Sequence, residues 1–483
     1  MDRRIFLHRA LSASAGGAVL GLLPATAALG QTAQPGEGPY GPLSTVPDEN
    51  GLLLPAGFTS RVVGVAGEPV AGTDHPWHLF PDGAATFPTE DEGWIYVCNS
   101  EVFDVLAPDA GGASAIRFSS DGSIVDAYPV LDGSNSNCAG GPTPWGTWLS
   151  CEENFSEKGR VWECDPTGEK DAVAYESMGL YAHEAVAVDP DNETLYLTQD
   201  NPAGLLYRFT PTNYPDLSTG QLDACVVAAD GSVTWIPVPD PSGAATPTRE
   251  QVPEATKFNG GEGIWYHDGW IWFTTKGDHS VHGIDLAEQH HEILWRGDPD
   301  GLGVEAAVLS GVDNLTVGSG SGDLFVAEDG ANMEVVMITS DGVLAPFARI
   351  SGAEHEGSEV TGPCFDPRGE RLYFSSQRGP TPKAPKDMGI PGFTADFTGG
   401  GVTYEVQGPF RGSTSSEPTS PPTTLRQAGG NEDGGSDDGD LSAVPIVIGV
   451  GAAVVAAAVG GTIAVRRRRD GEKSDPPAQT EQS

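Results

Sequence analysis

The middle of the chain repeats one short pattern of hydrophobic and polar positions. Each copy has an aromatic residue in second place, an apolar residue third, a small residue fourth and polar residues after that. Runs of this kind, bounded by turn residues, are typical of β-strands. The six copies are IYVCNSE from Ile95, TWLSCEE from Thr147, LYLTQDN from Leu195, IWFTTKG from Ile271, LFVAEDG from Leu324 and LYFSSQR from Leu372. We therefore predict six equivalent strands.

Another apolar strand and a tight turn precede each of the last five copies. These segments are HEAVAVDPDNE, GEGIWYHDG, DNLTVGSGSG, GPCFDPRGE and, less clearly, NCAGGPTPWG. Asp-Gly pairs that begin at Asp121, Asp230 and Asp341 predict further hairpins in the same units. The units recur about every 50 residues, with a longer one between Tyr196 and Trp272. This period predicts an all-β fold, a six-bladed β-propeller. A β-sandwich, the alternative, lacks such a period.

The two ends of the chain differ from the repeating part. Residues 1–30 have a charged start that includes Arg3 and Arg4, an apolar stretch and a small-residue end, which indicates a twin-arginine export signal. An ordinary secretory leader is the alternative. Ala443 to Val465 is apolar and about long enough to cross a bilayer as a helix. Arg466 to Arg469 follow it, and the positive-inside rule places them in the cytoplasm.

These features predict five regions. They are an export signal (1–30), a propeller (45–410), a disordered stalk rich in Ser, Thr and Pro and then in Gly and Asp (411–441), a transmembrane helix (443–465) and a short basic cytoplasmic tail (466–483). We expect a monomer that is exported to the cell surface and anchored in the cytoplasmic membrane, with the propeller outside.

The chain is strongly acidic, with 68 Asp and Glu residues, 26 Lys and Arg residues and a formal net charge of -42. Such a charge argues against nucleic acid as a partner and favours cations. Cysteines occur at six positions, and an exported chain could pair them in up to three disulfides. They are Cys98, Cys138, Cys151, Cys164, Cys225 and Cys364.

Polar residues cluster at corresponding ends of the predicted strands. If the first strand of each unit is the innermost strand of a blade, its beginning and the end of the returning strand lie at the same mouth of the channel. The beginnings carry Cys138, Glu184, Glu262, Asp313 with Asn314, and Gly362, and the returning ends carry Asn99 with Glu101, Glu152 with Glu153, Asp200, and Glu328 with Asp329. Because so many carboxylates would repel one another, we predict a metal cluster among them. For any single carboxylate, a plain turn residue is the alternative.

The ligand types indicate which metals to expect. Carboxylate and amide oxygens suit Ca²⁺, whereas a thiolate mixed with carboxylates favours a softer transition metal such as iron. For Cys138, a buried structural thiol or half of a disulfide is the alternative. No GxSxG motif occurs in the sequence, so nothing points to a serine nucleophile.

The segment NCAGGPTPWGTWLSCEE, followed in order by HEAVAVDP, EGIWY, DNLTV and SEVTGPCFDPRGERLYFSSQ, resembles the PhoX family of alkaline phosphatases. The resemblance implies a six-bladed propeller with a cluster of Fe³⁺ and Ca²⁺ that hydrolyses small-molecule phosphate esters. It implies that Cys138 is a thiolate ligand of iron and that Glu184 and Glu262 bind metal. By repeat position we add Glu101, Asp313, Glu328 and Glu359 as calcium ligands. Asn99 matches an asparagine that binds phosphate in the family.

One position departs from the family. Gly260 stands two residues before Glu262, where the family tends to have an arginine that grips phosphate. A guanidinium makes bidentate charge-assisted bonds that glycine cannot replace. We expect Lys257, Lys276 or the metals alone to take over this role. Two other function classes remain open, namely a calcium-dependent lactonase-like propeller and a non-catalytic surface module whose active site has decayed.

Overall fold

The computed structural model describes residues 33–297, 308–330 and 332–413. They all lie within one compact unit, Met1–Ala452. The predicted export signal, most of the stalk, the predicted transmembrane helix and the cytoplasmic tail lie outside the described residues. Within the described ranges, no helix is long and apolar enough to cross a membrane.

The described residues form 27 β-strands in six sheets and four single-turn 3₁₀ helices. Blade 1 consists of β4 (Pro81–Pro88), β5 (Trp94–Ser100), β6 (Gly111–Phe118) and β7 (Ile124–Ser134). Blade 2 consists of β8 (Asn137–Pro142), β9 (Trp148–Glu152), β10 (Val161–Cys164) and β11 (Val173–Tyr175). Blade 3 consists of β12 (His183–Asp189), β13 (Thr194–Gln199), β14 (Leu206–Asn213), β15 (Asp216–Val227) and β16 (Val233–Pro237).

The strands of the remaining blades are β17 (Gly261–His267), β18 (Trp270–Thr275), β19 (Ser280–Asp285) and β20 (His290–Arg296) in blade 4; β21 (Val312–Val317), β22 (Leu324–Glu328), β23 (Glu334–Ile338) and β24 (Val343–Ile350), with β1 (Gln34–Pro35) and β2 (Leu52–Leu53), in blade 5; and β25 (Val360–Phe365), β26 (Arg371–Ser376), β27 (Val402–Gln407) and β3 (Thr59–Val65) in blade 6. The 3₁₀ helices are Thr248–Glu250, Lys276–Asp278, Ala353–His355 and Pro385–Asp387.

The first strand of each blade is the innermost one, and the six inner strands form a closed ring. They contact one another in the cyclic order β4, β8, β12, β17, β21, β25 and back to β4. The predicted six-bladed propeller is therefore confirmed. The six copies of the repeated pattern are β5, β9, β13, β18, β22 and β26, the second strand of each blade.

The ring closes between the two ends of the propeller chain. Strand β3 pairs antiparallel with β27 and completes the four-stranded sheet of blade 6. The pattern of repeats did not predict this strand, because it precedes the first copy. Blade 3 has a fifth strand, β16, which explains the longer spacing before Trp272.

Each inner strand is irregular near its beginning, and this irregularity matters for the site. In β4, β8, β12, β17 and β21, the pairing register with the second strand shifts after the first residue. In β25 the shift comes one residue later. A bulge of this kind bends the strand and re-aims a side chain. Small residues allow the bulged strands to approach closely, since a Cβ on Gly83 would lie 2.6 Å from the Cα atom of Ala139 in the next inner strand.

All six cysteines are buried and none of them forms a disulfide. The default expectation of up to three disulfides is therefore wrong. The reason is geometric, because most of these residues pack inside separate blades or between different pairs of blades. Cys151 of blade 2 packs against blade 3 and Cys164 of blade 2 packs against blade 1, for example.

Candidate metal centre

The bulges place one residue of each blade in equivalent positions around the mouth of the channel. This residue is the second one of the inner strand, and it is fully buried in every blade. The six residues are Asp82, Cys138, Glu184, Glu262, Asp313 and Thr361. We call them the inner ring. In blade 6, where the residue is Thr361, a carboxylate comes from Glu359, two positions earlier.

A second set of equivalent residues follows the returning strands. The residue directly after the second strand of each blade lies beside the inner ring. These residues are Glu101, Glu153, Asp200, Lys276, Asp329 and Gln377. We call them the outer ring. Four of the six are carboxylates, and together the two rings bring acidic groups from all six blades, counting Glu359, to one end of the channel.

The side chains of the two rings form three groups that could each hold a cation. The groups are Asp82 with Glu101 and Cys138, Cys138 with Glu153 and Glu184, and Glu184 with Glu262 and Asp313, and in each group the ligand atoms lie within 4.8 Å of one another. Neighbouring groups share Cys138 or Glu184, whose Sγ and Oε2 atoms are 3.1 Å apart. The arrangement is therefore a continuous row of cation positions rather than three separate sites.

Several carboxylate oxygens of the centre have no donor. Asp82 Oδ1, Glu101 Oε1, Glu184 Oε1 and Glu359 Oε2 are buried, and no hydrogen-bond donor among the described residues reaches them. A buried carboxylate oxygen without a donor is costly in a folded protein. Bound cations would satisfy these atoms, so the residues present fit the metal cluster that the sequence predicts.

Burial and mutual repulsion shift the titration of the centre. Burial raises the pKa of Glu184 well above its usual range, and the charges of Glu262 and Asp313 raise it further. Burial also raises the pKa of the Cys138 thiol, and the nearby Glu184 adds to the effect. The pKa of Asp82 is raised by burial and then by Glu101. Without cations these carboxyl and thiol groups therefore hold their protons more strongly than the same groups do in water. Cation binding releases these protons.

Two basic residues lie among the carboxylates. Lys276 Nζ is 3.1 Å from Glu262 Oε1 and 3.3 Å from Asp329 Oδ2. Burial disfavours its charged form, but the charges of Glu262 and Asp329 prevail and raise the pKa of Lys276. Arg378 Nη2 is 2.7 Å from Glu359 Oε1. The protein thus supplies fixed positive charges on two sides of the mouth.

The structure brings most of the predicted metal ligands together. Glu101, Cys138, Glu184, Glu262 and Asp313 all take part in the three groups. Glu359 lies at the same mouth and is held by Arg378.

Glu328 is not part of the three groups. Its Oε1 atom accepts a hydrogen bond from the backbone N–H of Ser310 at 2.8 Å, and its Oε2 atom accepts one from the backbone N–H of Glu334 at 3.3 Å. The next residue, Asp329, takes the outer-ring position instead. Because successive side chains of a strand point to opposite faces, a shift of one residue moves the carboxylate out of the mouth.

Asn99 is engaged in other contacts. Its amide nitrogen donates to the carbonyl oxygens of Ala139 at 2.8 Å and of Cys138 at 3.3 Å, and its amide oxygen accepts from Trp148 Nε1 and Ser150 Oγ, both at 2.9 Å. These bonds tie blade 1 to blade 2. A phosphate-binding role for Asn99 would require them to break.

Sequence reasoning missed Asp82 and did not assign a role to Glu153. Asp82 was missed because strand β4 precedes the first copy of the repeated pattern. Asp82 and Gly83 occupy the second and third positions of β4, as Glu262 and Gly263 do in β17. An alignment of the inner strands would therefore have found Asp82. Glu153 has the same offset as Glu101, directly after the second strand.

The structure also distinguishes the two lysines near Gly260. Lys276 donates its backbone N–H to the carbonyl oxygen of Gly260, and its side chain reaches the carboxylates of the centre. Lys257 is directed elsewhere, since its Nζ atom donates to the carbonyl oxygen of Arg249 at the exposed surface. Gly260 has a φ of +69°, which disfavours any residue with a side chain.

Fold and site together define a six-bladed β-propeller with a buried acidic centre that fits several cations. The sequence model of the alkaline phosphatase PhoX matches residues 104–296. This match covers less than half of the chain, and it indicates a similarity to the PhoX family of alkaline phosphatases. No curated protein matches the sequence significantly.

Two solved structures are similar to this chain to different degrees. PhoX of Pseudomonas fluorescens, solved with vanadate, is similar at 16% identity and a TM-score of 0.59, over 76% of this chain and 98% of that chain. A gluconolactonase of Xanthomonas campestris is similar at 13% identity and a TM-score of 0.38, over 74% of this chain and 89% of that chain. The first of these likenesses supports the propeller fold.

Proposed function

We propose that the chain is a metal-dependent phosphatase that hydrolyses small phosphate esters at the channel mouth. The observation that carries the proposal is the row of three overlapping cation positions, built from groups of five successive blades in a chain that matches the sequence model of an alkaline phosphatase. The similar Pseudomonas fluorescens protein binds vanadate, which is described as a transition state analogue. We expect vanadate to bind this chain at the same mouth.

The proposed cations are Fe³⁺ and Ca²⁺. The group of Cys138, Glu153 and Glu184 suits iron, because it sets a thiolate beside carboxylates. Glu184, Glu262 and Asp313 offer only oxygen atoms, which suits Ca²⁺. Cations bound there would neutralise the charge of a phosphate ester and lower the barrier to attack by water.

A basic residue of the chain itself supplies positive charge for an anionic substrate at the channel mouth. Lys276 keeps a positive charge among the carboxylates of blades 4 and 5. Lys276 is the fixed positive charge next to Gly260, so we assign to it the phosphate-binding role that a glycine cannot fill. The protein carries a large negative charge, and an anion can approach only where the local field is reversed.

A direct experiment tests the proposal. The full chain is stripped of metal, reloaded with Fe³⁺ and Ca²⁺, and assayed with p-nitrophenyl phosphate. We expect hydrolysis that depends on both metals and a loss of at least about 100-fold in Glu184→Gln, which removes a shared ligand. Glu163→Gln is the control, because Glu163 accepts bonds from Trp145, Thr147 and Tyr175 within blade 2.

The same assay separates the two alternatives. Calcium content without iron, together with hydrolysis of a lactone and not of the phosphate ester, would replace the proposal by a lactonase-like function. Metal binding without hydrolysis of either substrate would indicate a non-catalytic module. The presence of Cys138 in two cation positions favours the phosphatase, because a calcium centre has no need of a thiol.

We also propose that the propeller acts outside the cytoplasmic membrane, as an anchored monomer. The support comes from Arg3 and Arg4 in the leader and from the apolar segment Ala443 to Val465 with the arginines that follow it. Protease added to intact cells should remove the propeller and leave the tail. Replacement of Arg3 and Arg4 by lysines should keep the chain inside. A protected propeller in the unaltered chain would contradict the proposed location.

A further inference from the structure

Arg378 and Gln377 make an unusual set of contacts at the blade 6 side of the mouth. Gln377 occupies the outer-ring position of its blade, and its amide nitrogen donates to Asp82 Oδ2 and, at 2.8 Å, to Glu101 Oε2. Its amide oxygen accepts from Arg378 Nη1. A single amide group thus joins two carboxylates of the centre to one guanidinium.

The guanidinium is itself held in one place. Arg378 Nη2 donates to Glu359 Oε1 at 2.7 Å, and Nε donates to the carbonyl oxygen of Gly357 at 3.0 Å. The residue is only 8% exposed. Since Arg378 can only donate, it fixes which end of the Gln377 amide faces the acids. The –NH₂ group must point towards Asp82 and Glu101.

The three carboxylates share a pattern that points to a ligand. Each has one oxygen bonded to Gln377 or Arg378 and a second oxygen that is buried and reached by no donor among the described residues. Asp82 and Glu101 also belong to one of the three cation groups. The Arg378 and Gln377 side chains therefore hold each carboxylate in place through one oxygen and leave its other oxygen available. Residues that hydrogen-bond to metal ligands act in the same way.

We propose that Arg378 and Gln377 are positioning residues that orient Asp82 and Glu101, and Glu359 beside them, for binding of a hard cation on the blade 1 and blade 6 side of the mouth. This inference rests on the proposed function, because it concerns the same centre. Cation binding near Asp82 and Glu101 would then depend on Arg378, whereas cation binding around Glu184, Glu262 and Asp313 would not.

The test measures Ca²⁺ binding to the metal-stripped full chain by calorimetry in Arg378→Met, Arg378→Lys and Gln377→Leu. We expect one class of Ca²⁺ site to weaken by about 10- to 100-fold in Arg378→Met and Gln377→Leu, with partial recovery in Arg378→Lys. The remaining Ca²⁺ sites should keep their affinity. Cobalt added as a probe should still give the thiolate-to-metal absorption of Cys138.

Arg371→Met is the matched control. Arg371 is the first residue of β26, is 7% exposed and pairs with Glu405 at 3.5 Å, whereas Arg378 lies just beyond the other end of that strand. This variant should keep every Ca²⁺ affinity, even if it unfolds at a lower temperature. Unchanged Ca²⁺ binding in both Arg378→Met and Gln377→Leu would overturn the inference. So would equal losses in Arg371→Met, or a loss of all sites and of the cobalt band.

These outcomes are separate from those of the phosphatase assay. If the unaltered chain binds Ca²⁺ but does not hydrolyse phosphate esters, the proposed function fails while the positioning role can still be measured. If it hydrolyses them and Arg378→Met binds Ca²⁺ normally, only the positioning role fails.

Discussion

At the scale of single residues, Cys138 decides what kind of centre this chain can build. Its thiol lies 3.1 Å from Glu184 Oε2 and belongs to two cation positions. Five other cysteines are also buried, but they pack among apolar side chains. The position of a cysteine, and not its burial, therefore distinguishes a ligand from a packing residue.

Cys138→Ser should remove the affinity for soft metals and spare Ca²⁺. We expect loss of the cobalt–thiolate absorption and at least about a 100-fold fall in iron-dependent hydrolysis. Cys151→Ser, in the same blade, is the control and should keep both. Retention of the cobalt band in Cys138→Ser would show that another group binds the soft metal.

Lys276 should matter for the substrate more than for the fold. Lys276→Met removes the ammonium beside Glu262 and Asp329 and should lower kcat/KM for p-nitrophenyl phosphate by about 100-fold, as expected for a charged bond to phosphate. Lys257→Met changes a lysine at the exposed surface and should leave kcat/KM within about twofold. Steady-state kinetics of both variants, at equal metal content, provide the measurement.

His291 makes a buried contact that the sequence did not indicate. His291 is buried, with Nε2 3.0 Å from His282 Nδ1. Thr275 Oγ1 donates to Asp278 and lies 2.8 Å from His282 Nε2. Each ring therefore donates one N–H along the row from His291 to Asp278, which requires the His282 ring to be neutral, because its Nδ1 atom accepts.

Acid should destabilise the protein through this pair. Burial and, to a smaller extent, the charge of His290 lower the pKa of His291 to about 4, whereas an unfolded histidine titrates near 6.5. Because the unfolded chain binds more protons, this part of the stability is complete above pH 6.5 and is lost as the pH falls towards 4. The loss is at most about 3 kcal/mol.

His291→Gln keeps a donor and removes the titration. Its unfolding free energy in urea should fall less than that of the unaltered chain between pH 6.5 and pH 4. His290→Gln is the control and should follow the unaltered chain. Parallel curves for all three proteins would show that His291 does not couple to folding.

Several residue roles could not be assigned from the sequence. Whether Glu328 or Asp329 lies at the channel mouth depends on the register of β22. An offset of one residue moves a side chain to the opposite face of the strand. Arg378 was equally hidden, because a basic residue is expected at the surface unless acidic partners surround it.

At the scale of strands, the inner and second strands do most to build the centre. Each inner strand enters the mouth with a bulge, and each second strand ends there. The pattern of the second strands was clear from the sequence, because an aromatic residue between apolar neighbours suits a buried strand. The bulges were not predictable, since they follow from how neighbouring inner strands pack around the channel, as at Gly83 and Ala139.

Strand β3 should be required for the closed ring. A chain that begins after Val65 lacks the outer strand of blade 6 and leaves the edge of β27 unpaired. We expect such a chain to aggregate or to lose its cooperative thermal transition. A chain that lacks only residues 33–37 loses β1 and should melt within a few degrees of the intact protein. Circular dichroism on heating tests both, and a normal transition in the shorter chain would contradict the expected role of β3.

At the scale of the whole molecule, the negative charge and the acidic centre should make the stability of the folded chain depend on cations. Bound Ca²⁺ stabilises only the folded chain, by about 2.7 kcal/mol per site at 100 times the Kd. We expect Ca²⁺ to raise the melting temperature of the metal-stripped chain by on the order of 5 °C. Sodium chloride at equal ionic strength should give a smaller rise, because it only screens the surface charges. Equal effects of the two salts would argue against specific cation sites.

The sequence by itself determined the number of blades, the place of the second strand in each and the acidic character of one channel mouth. These features depend on local patterns, namely short buried strands, tight turns and a regular repeat. Tertiary structure alone decided which side chains meet. Asp82, Glu101 and Cys138 come from different strand ends, and their distances are set by ring closure and by the bulges. A one-residue change in register moves a carboxylate from the mouth into a blade, and no local pattern records that choice.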